Sequence, residues 1–365
     1  MKKIKLKLLS LMLIPITLLF NYLFSAYRYT GESFYSLTLN KVFIQVLSKL
    51  TGLFPFALSE LILYALILLY SFYILRMLWH LFNSKRSRIR ILFHFILDTS
   101  VTFSVIYFLF MTTWGFNYLR PRFGENTGIY ITRHTTSELA ELYAYLIEET
   151  NRLSAETLKD SEGNMMLSQG YQSAFARAPL GYRQVAMEFS NLGGEYGRPK
   201  PILMSKLMNY TGIAGIYFPF TGEANVNVAL LGSMIPSTTM HEMAHQRGYA
   251  NEDECNFIAF LTCSLHPDVD FRYSGYLLAL SHTRSALARD NMQLLTQLNQ
   301  NLSPYVLQDI NNSYTFWKQY EGAVEAFSYK INDTYLKANG ISDGEKSYGR
   351  MVDLLLSYYT LYIKE

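Results

Sequence analysis

Ser237-Thr-Thr-Met-His-Glu-Met-Ala-His-Gln-Arg-Gly248 carries two histidines, His241 and His245, four residues apart, with Glu242 directly after the first. Four residues is close to one helical turn, so a helix here puts both imidazoles on one face. Pro236 and Ser237 suit the start of that helix, and Gly248 suits its end. The chain continues Tyr-Ala-Asn251-Glu252-Asp-Glu254-Cys255-Asn256-Phe-Ile-Ala-Phe-Leu261. Asn251 predicts a cap for a second helix with acidic residues in its first turn, and Pro267 stops it. The unit predicted is helix, tight turn, helix, with carboxylates facing back at the histidines.

Two imidazoles and a carboxylate are a ligand set for Zn2+, which in catalytic sites takes three protein ligands and keeps one position open. His241 and His245 are the first two, and Glu252 or Glu254 the third. The two glutamates point about 200° apart on a helix, so one of them faces the histidines. Glu252 is preferred. It lies nearer Gly248, and it places Asn256 one turn further along the same face, where an amide can orient a histidine. Glu254 is left to cap the helix or to pair with Arg247. Glu242 stands beside the histidines as a candidate general base.

Outward from this stretch, the 365 residues are 50% apolar and 17% charged, and the apolar residues crowd into the first third. Residues 8–27 hold no charge and follow Lys2, Lys3, Lys5 and Lys7; further apolar runs span about 56–78 and 95–118. Each is long enough to cross a bilayer, and the first reads as an uncleaved anchor. The lysines at the start and the basic loop from Lys85 to Arg90 predict cytoplasmic ends, which leaves everything beyond about Arg120 outside. Asp98 and Arg76 could pair. Residues 27–51 predict an amphipathic helix on the outer membrane face.

The outer part reads as mostly helical. A capped helix begins at Thr136, helical texture over 172–191 breaks at Pro179-Leu-Gly181, and long helices run over about 275–302, 304–339 and 345 to the end. Pro201-Ile-Leu-Met and the stretch 215–230 predict short strands around a turn at Thr221-Gly222. Glu223, Asn225 and Asn227 would form a sheet edge able to hold a peptide as an added strand. Tyr217, Tyr348 and Arg350 are candidates to stabilise an oxyanion. Cys255 and Cys263 read as buried thiols, and the weak net charge of +3 comes with no nucleic-acid motif.

Several of these stretches together resemble a bacterial membrane family known as domain-of-unknown-function family 3810. They are Trp114-Gly-Phe-Asn117-Tyr118-Leu-Arg120, Tyr217-Phe-Pro-Phe-Thr-Gly-Glu-Ala-Asn225, His241 to Asn256, and Ser347-Tyr-Gly-Arg350. The resemblance covers nearly the whole chain and implies a zinc metallopeptidase. Glu252 followed four residues later by Asn256 also resembles the gluzincin peptidases, although only six residues separate His245 from Glu252. The metzincin pattern is similar up to Gly248, but Asn251 stands where its third histidine would be.

The expectation is a mainly α protein (α+β): three transmembrane helices within residues 1–120, then a zincin-like helical domain with a small β-sheet over 121–365. It would sit in a bacterial inner membrane as a multi-pass protein, its site outside the cytoplasm. Its partners would be the lipid bilayer and a peptide or protein substrate of the envelope. The rival expectations are a zinc-dependent hydrolase of a cell-wall or lipid-linked amide, and a catalytically silent metal-binding scaffold.

Overall fold

The apolar runs become helices; in the first, Pro15 lacks an N–H for the backbone ladder, and the chain turns at Met12 between Lys2–Leu11 and Leu13–Ala26. In the computed structural model, which describes residues 2–84, 87–131, 134–344 and 350–364, three helices are long and apolar enough to cross a membrane: Ile4–Ala26, Leu58–Asn83 and Arg88–Thr113. The second and third hold 26 residues each, about 39 Å of helix against a hydrocarbon core of about 30 Å. No part of the second span's most apolar window is buried in the protein, a surface suited to lipid. The third span ends at Thr113 rather than near 118, because Trp114 leaves helical geometry and Gly115–Leu119 forms a 3-10 turn.

The third span packs against both others. Asp98 pairs with Lys7 of the first span and accepts from Tyr73, not with Arg76 as expected. The basic loop falls partly outside the described residues, but its flanks, Asn83 and Arg88, are the span ends opposite Leu58, bonded to Glu223, and Thr113, which precedes Trp114 beside His245. Residues 27–51 are not one free amphipathic helix. Arg28–Gly31, the π-helical Glu32–Asn40 and Lys41–Thr51 follow one another. The last buries Ile44, Ser48 and Thr51. The Ser48 hydroxyl accepts from Gly197 N at 3.0 Å, and Thr51 donates to Thr221 O at 3.0 Å, so this segment is packed on the sheet.

The chain is 73% helical with 3% strand, as a mainly α fold with one small sheet requires. Thr136–Glu156 starts with a capping box in which Thr135 and Glu138 satisfy each other's backbone N–H groups. Its Leu142, Leu146 and Leu153 face Val269–Asp290 in the main core, where Phe257 and Phe260 also pack. The long helices expected downstream are divided. Asn291 ends one and caps Met292–Leu298, and Gly322 precedes Ala323–Ala338.

Strands β1 (Lys200–Pro201), β2 (Gly215–Phe218) and β3 (Glu223–Val226) form a sheet of order β1-β3-β2. β3 runs parallel to β1 and antiparallel to β2. This corrects the expected edge: Glu223 and Asn225 lie on the central strand, whose two sides are both paired, and Asn227 just follows it. The free edge beside the motif helix belongs to β2. The first strand is also shorter than the sequence suggests, with Ile202 tied in only by its N–H to Val226 O.

Candidate metal centre

The motif helix spans Ile235–Gln246, with Pro236 in its first turn. It ends because Gly248 takes φ 81°, a conformation that favours glycine, while its N–H returns to His245 O at 2.8 Å. A Cβ there would also crowd Asn117 Oδ1 at 3.2 Å. The turn reverses the chain into Glu252–Ser264. Asn251 precedes that helix but does not cap its backbone with its side chain; its amide donates to Glu254 Oε2 at 3.0 Å instead.

The reversal brings His241, His245 and Glu252 together, with one ligand atom of each within 4.8 Å of the others. His241 Nε2 lies 3.1 Å and His245 Nε2 3.5 Å from the same carboxylate oxygen, Glu252 Oε2. The outer nitrogens are held from behind. His241 Nδ1 lies 2.8 Å from Asn256 Oδ1, and His245 Nδ1 lies 2.8 Å from Tyr249 O. With the amide oxygen of Asn256 and the carbonyl of Tyr249 as acceptors, both Nδ1 atoms carry the hydrogen. Both Nε2 lone pairs then face a carboxylate. Three electron-pair donors converging in a buried place repel one another unless a cation or a proton lies between them, so the set fits a divalent metal.

Where no cation lies between them, a proton takes that place. Burial works against a charge on Glu252, but His245 and His241 more than offset it and hold its carboxyl below the usual range. Burial likewise opposes a charge on His245, yet the neighbouring Cys255 and Glu252 raise its pKa well above that of a free imidazole. Burial itself pushes the Cys255 thiol up to about 12, so at neutral pH Glu252 is the group that carries negative charge. Cys255 Sγ also donates to Tyr249 O, at 3.2 Å. As the sequence suggested, both cysteines are buried and free.

Glu242 is buried, and its Oε2 has no hydrogen-bond partner. Burial pushes its carboxyl up to about 7, against the pull of the two histidines. It sits against β2 so closely that a Cβ on Gly215 would lie 2.5 Å from Glu242 Oε1. Glu254 is turned away from the cluster. It accepts from Phe123 N at 2.6 Å and from Asn251, and lies 3.8 Å from Arg122, not from Arg247. Arg247 instead donates to Leu192 O and Met243 O and lies over the Tyr182 ring.

The remaining expected residues are elsewhere. Glu223 pairs with Lys200 at 2.9 Å and accepts from Leu58 N and Ser59 N. Asn225 donates to Ile216 O and Asn227 to Asn209 Oδ1, bonds that hold the sheet and its loop. Tyr217 stacks on His245, but its hydroxyl is buried near Tyr35 and Tyr196 without a partner. Arg350 pairs with Asp253 and Asp343. Tyr348 lies outside the described residues.

In front of the cluster opens a cleft of about 1240 Å³. Its lining includes residues far along the chain from the motif helix. Trp114 meets the His245 ring edge-on, at 5.8 Å between centroids. The Tyr118 hydroxyl donates to that of Tyr335 at 3.1 Å, and Tyr335 lies within electrostatic reach of Glu252 and His245. His282 lines the same space, and burial with His241 nearby lowers its pKa to about 4. Tyr335 is more than eighty residues from Glu252, so only the fold reveals it.

The chain belongs to the family described as "Protein of unknown function (DUF3810)", which matches residues 35–356. Neither a curated protein nor a solved structure matches it.

Proposed function

We propose that this protein is a membrane-anchored zinc metallopeptidase that hydrolyses peptide bonds of envelope proteins or peptides. The observation that carries the reading is the convergence of His241 Nε2, His245 Nε2 and Glu252 Oε2 beside Glu242, whose Oε2 has no hydrogen-bond partner, in the lining of a cleft. His241, His245 and Glu252 would hold the ion, and Asn256 and Tyr249 O would fix the two ring orientations. Zinc, when bound, supplies Lewis acidity that polarises a carbonyl and acidifies water. Glu242 accepts the proton of the attacking water and delivers it to the leaving amine, a role suited to a carboxyl whose pKa lies near neutrality. Tyr335 and His282, which line the cleft, would be candidate donors to the oxyanion.

The reading places residues 1–120 as anchor and 121–365 as the catalytic part, in a bacterial inner membrane with the site outside. It is supported by the basic residues at the span ends away from the cleft. A reporter fused after Glu365 that works only outside the cytoplasm should be active. Activity from an inside-only reporter alone would reverse the orientation.

The functional test uses the full chain in nanodiscs. Protein prepared without chelators should carry about one zinc per chain and cleave members of a peptide library. Glu242→Gln should keep the zinc and lose cleavage by about 10³-fold or more. Wild type that holds no zinc would sink the proposal.

A further inference from the structure

The cleft has a fixed height above the membrane. Trp114 is the first residue beyond the third span, and its ring already touches His245. The reacting centre therefore lies one ring contact from the end of a membrane helix. Buried polar contacts hold it there. Glu223 accepts from Leu58 N and Ser59 N at the start of the second span, at 3.2 and 2.8 Å. Lys200 pairs with that carboxylate and donates to Thr51 O and Phe56 O. Glu60, in the first turn of the second span, accepts from Leu203 N and Met204 N at 2.7 and 3.0 Å. Arg120 bonds Glu32 and also donates to Gly248 O, in the turn that ends the motif helix. Between the spans and the cluster lies a set of buried, paired charges, which resists hinge motion.

The cleft's surroundings are apolar where they approach the spans. Leu203 and Met204, held by Glu60, are exposed, as is Leu207 at 60% exposure. Ile216, on the edge strand β2, is also exposed and lines the cleft itself. The opposite wall is the helix Ala323–Ala338, whose Val324, Phe327 and Ile331 line the cleft on one face. Phe327 is 66% exposed. The same helix ends with Tyr335 against Phe110 of the third span, 6.2 Å between ring centroids. The apolar wall thus runs continuously from the cleft to the membrane-crossing helices. A chain that emerges from the bilayer beside these spans would enter this cleft directly and cover the exposed stripe.

We propose that the site cuts polypeptides tethered in the same membrane, within the first few residues that leave it; this rests on the peptidase reading above. The peptide C–N bond breaks, water's hydroxyl goes to the acyl carbon, and its proton passes through Glu242 to the new amine. One product stays in the bilayer and the other is released.

The test places the full chain, zinc-loaded, in proteoliposomes with single-span reporter polypeptides. Each reporter carries the same randomised segment of about twelve residues. In one form the segment follows the span directly. In another a rigid helical spacer of about 30 residues lifts it by about 45 Å. A third form lacks the span. Mass spectrometry of released fragments gives cut sites and rates. The directly tethered form should be cut roughly tenfold faster or more than the lifted form at equal density in the bilayer. Equal cutting of the direct, lifted and soluble forms would overturn this inference and leave the peptidase reading intact. No cut in any form, with zinc bound, would overturn both.

Discussion

At the residue scale, the site depends on which side of one helix faces inward. Glu252 and Asn256 share that face, four residues apart, so a single helix supplies one carboxylate to the cluster and one amide behind His241. Glu254 faces the opposite way and satisfies Phe123 N. Glu252→Ala should therefore strip the metal. Glu254→Ala should keep the metal but cost about 1–3 kcal/mol of stability, because a buried N–H loses its acceptor. Asn256→Ala should weaken metal affinity by roughly 10–100-fold. Metal content by mass spectrometry and thermal melting separate these outcomes. Metal lost from Glu254→Ala and retained in Glu252→Ala would show the helix turned the other way.

Glu242 adds a pH dependence. Its carboxyl titrates near 7 in the folded chain against an ordinary value of 4.5. A carboxyl raised on folding contributes stability below its unfolded pKa and loses it as pH rises through the folded one. Glutamine at this position does not titrate. In metal-stripped protein, Glu242→Gln should thus gain stability relative to wild type between pH 5 and pH 8, on the order of 2 kcal/mol. A melting difference that stays flat over this range would contradict the burial argument.

At the element scale, the close approach of β2 to the motif helix sets the geometry. Gly215 permits it, because any Cβ would collide with the Glu242 carboxylate. Gly215→Ala should leave the zinc in place, since the atoms a Cβ would meet first belong to Glu242, which is not a candidate ligand, yet cut the rate by about 10-fold or more through displacement of the base. Unchanged kinetics in this variant would mean that Glu242 can move without penalty. The pairing of β2 with β3 was legible in the turn at Thr221-Gly222, but not which strand would be left free. A third partner, β1, arrives from Lys200 and takes the far side of β3. Two residues of pairing carry too little pattern to be seen in a sequence.

At the scale of the whole molecule, the spans and the helical body are joined through buried charges. Glu223 serves the sheet, Lys200 and the first N–H groups of the second span at once. Glu223→Ala leaves Lys200 buried without its carboxylate, and about 3–5 kcal/mol of stability should be lost. The variant should melt earlier and become sensitive to proteolysis near residues 52–57, whereas Glu223→Gln should lose less. Melting unchanged from wild type in Glu223→Ala would remove the argument for a rigid junction.

The amino-acid order by itself determined the three helices long and apolar enough to cross a membrane, the mainly helical class, the turn at Gly248 and the residues that meet at the cluster. Each rests on local physics: apolar length, helical periodicity, one positive-φ glycine, and candidate ligands gathered within Met240–Asn256. Tertiary structure decided the rest. It put β3 in the centre and β2 at the edge beside the motif helix, set the Tyr217 hydroxyl near Tyr35 and Tyr196, and assigned Glu223 to a span end. It also set Trp114, Tyr118 and Tyr335 around the cleft. These outcomes depend on contacts between residues tens to hundreds of positions apart, where side-chain direction is fixed by packing and no periodic signal survives in the chain.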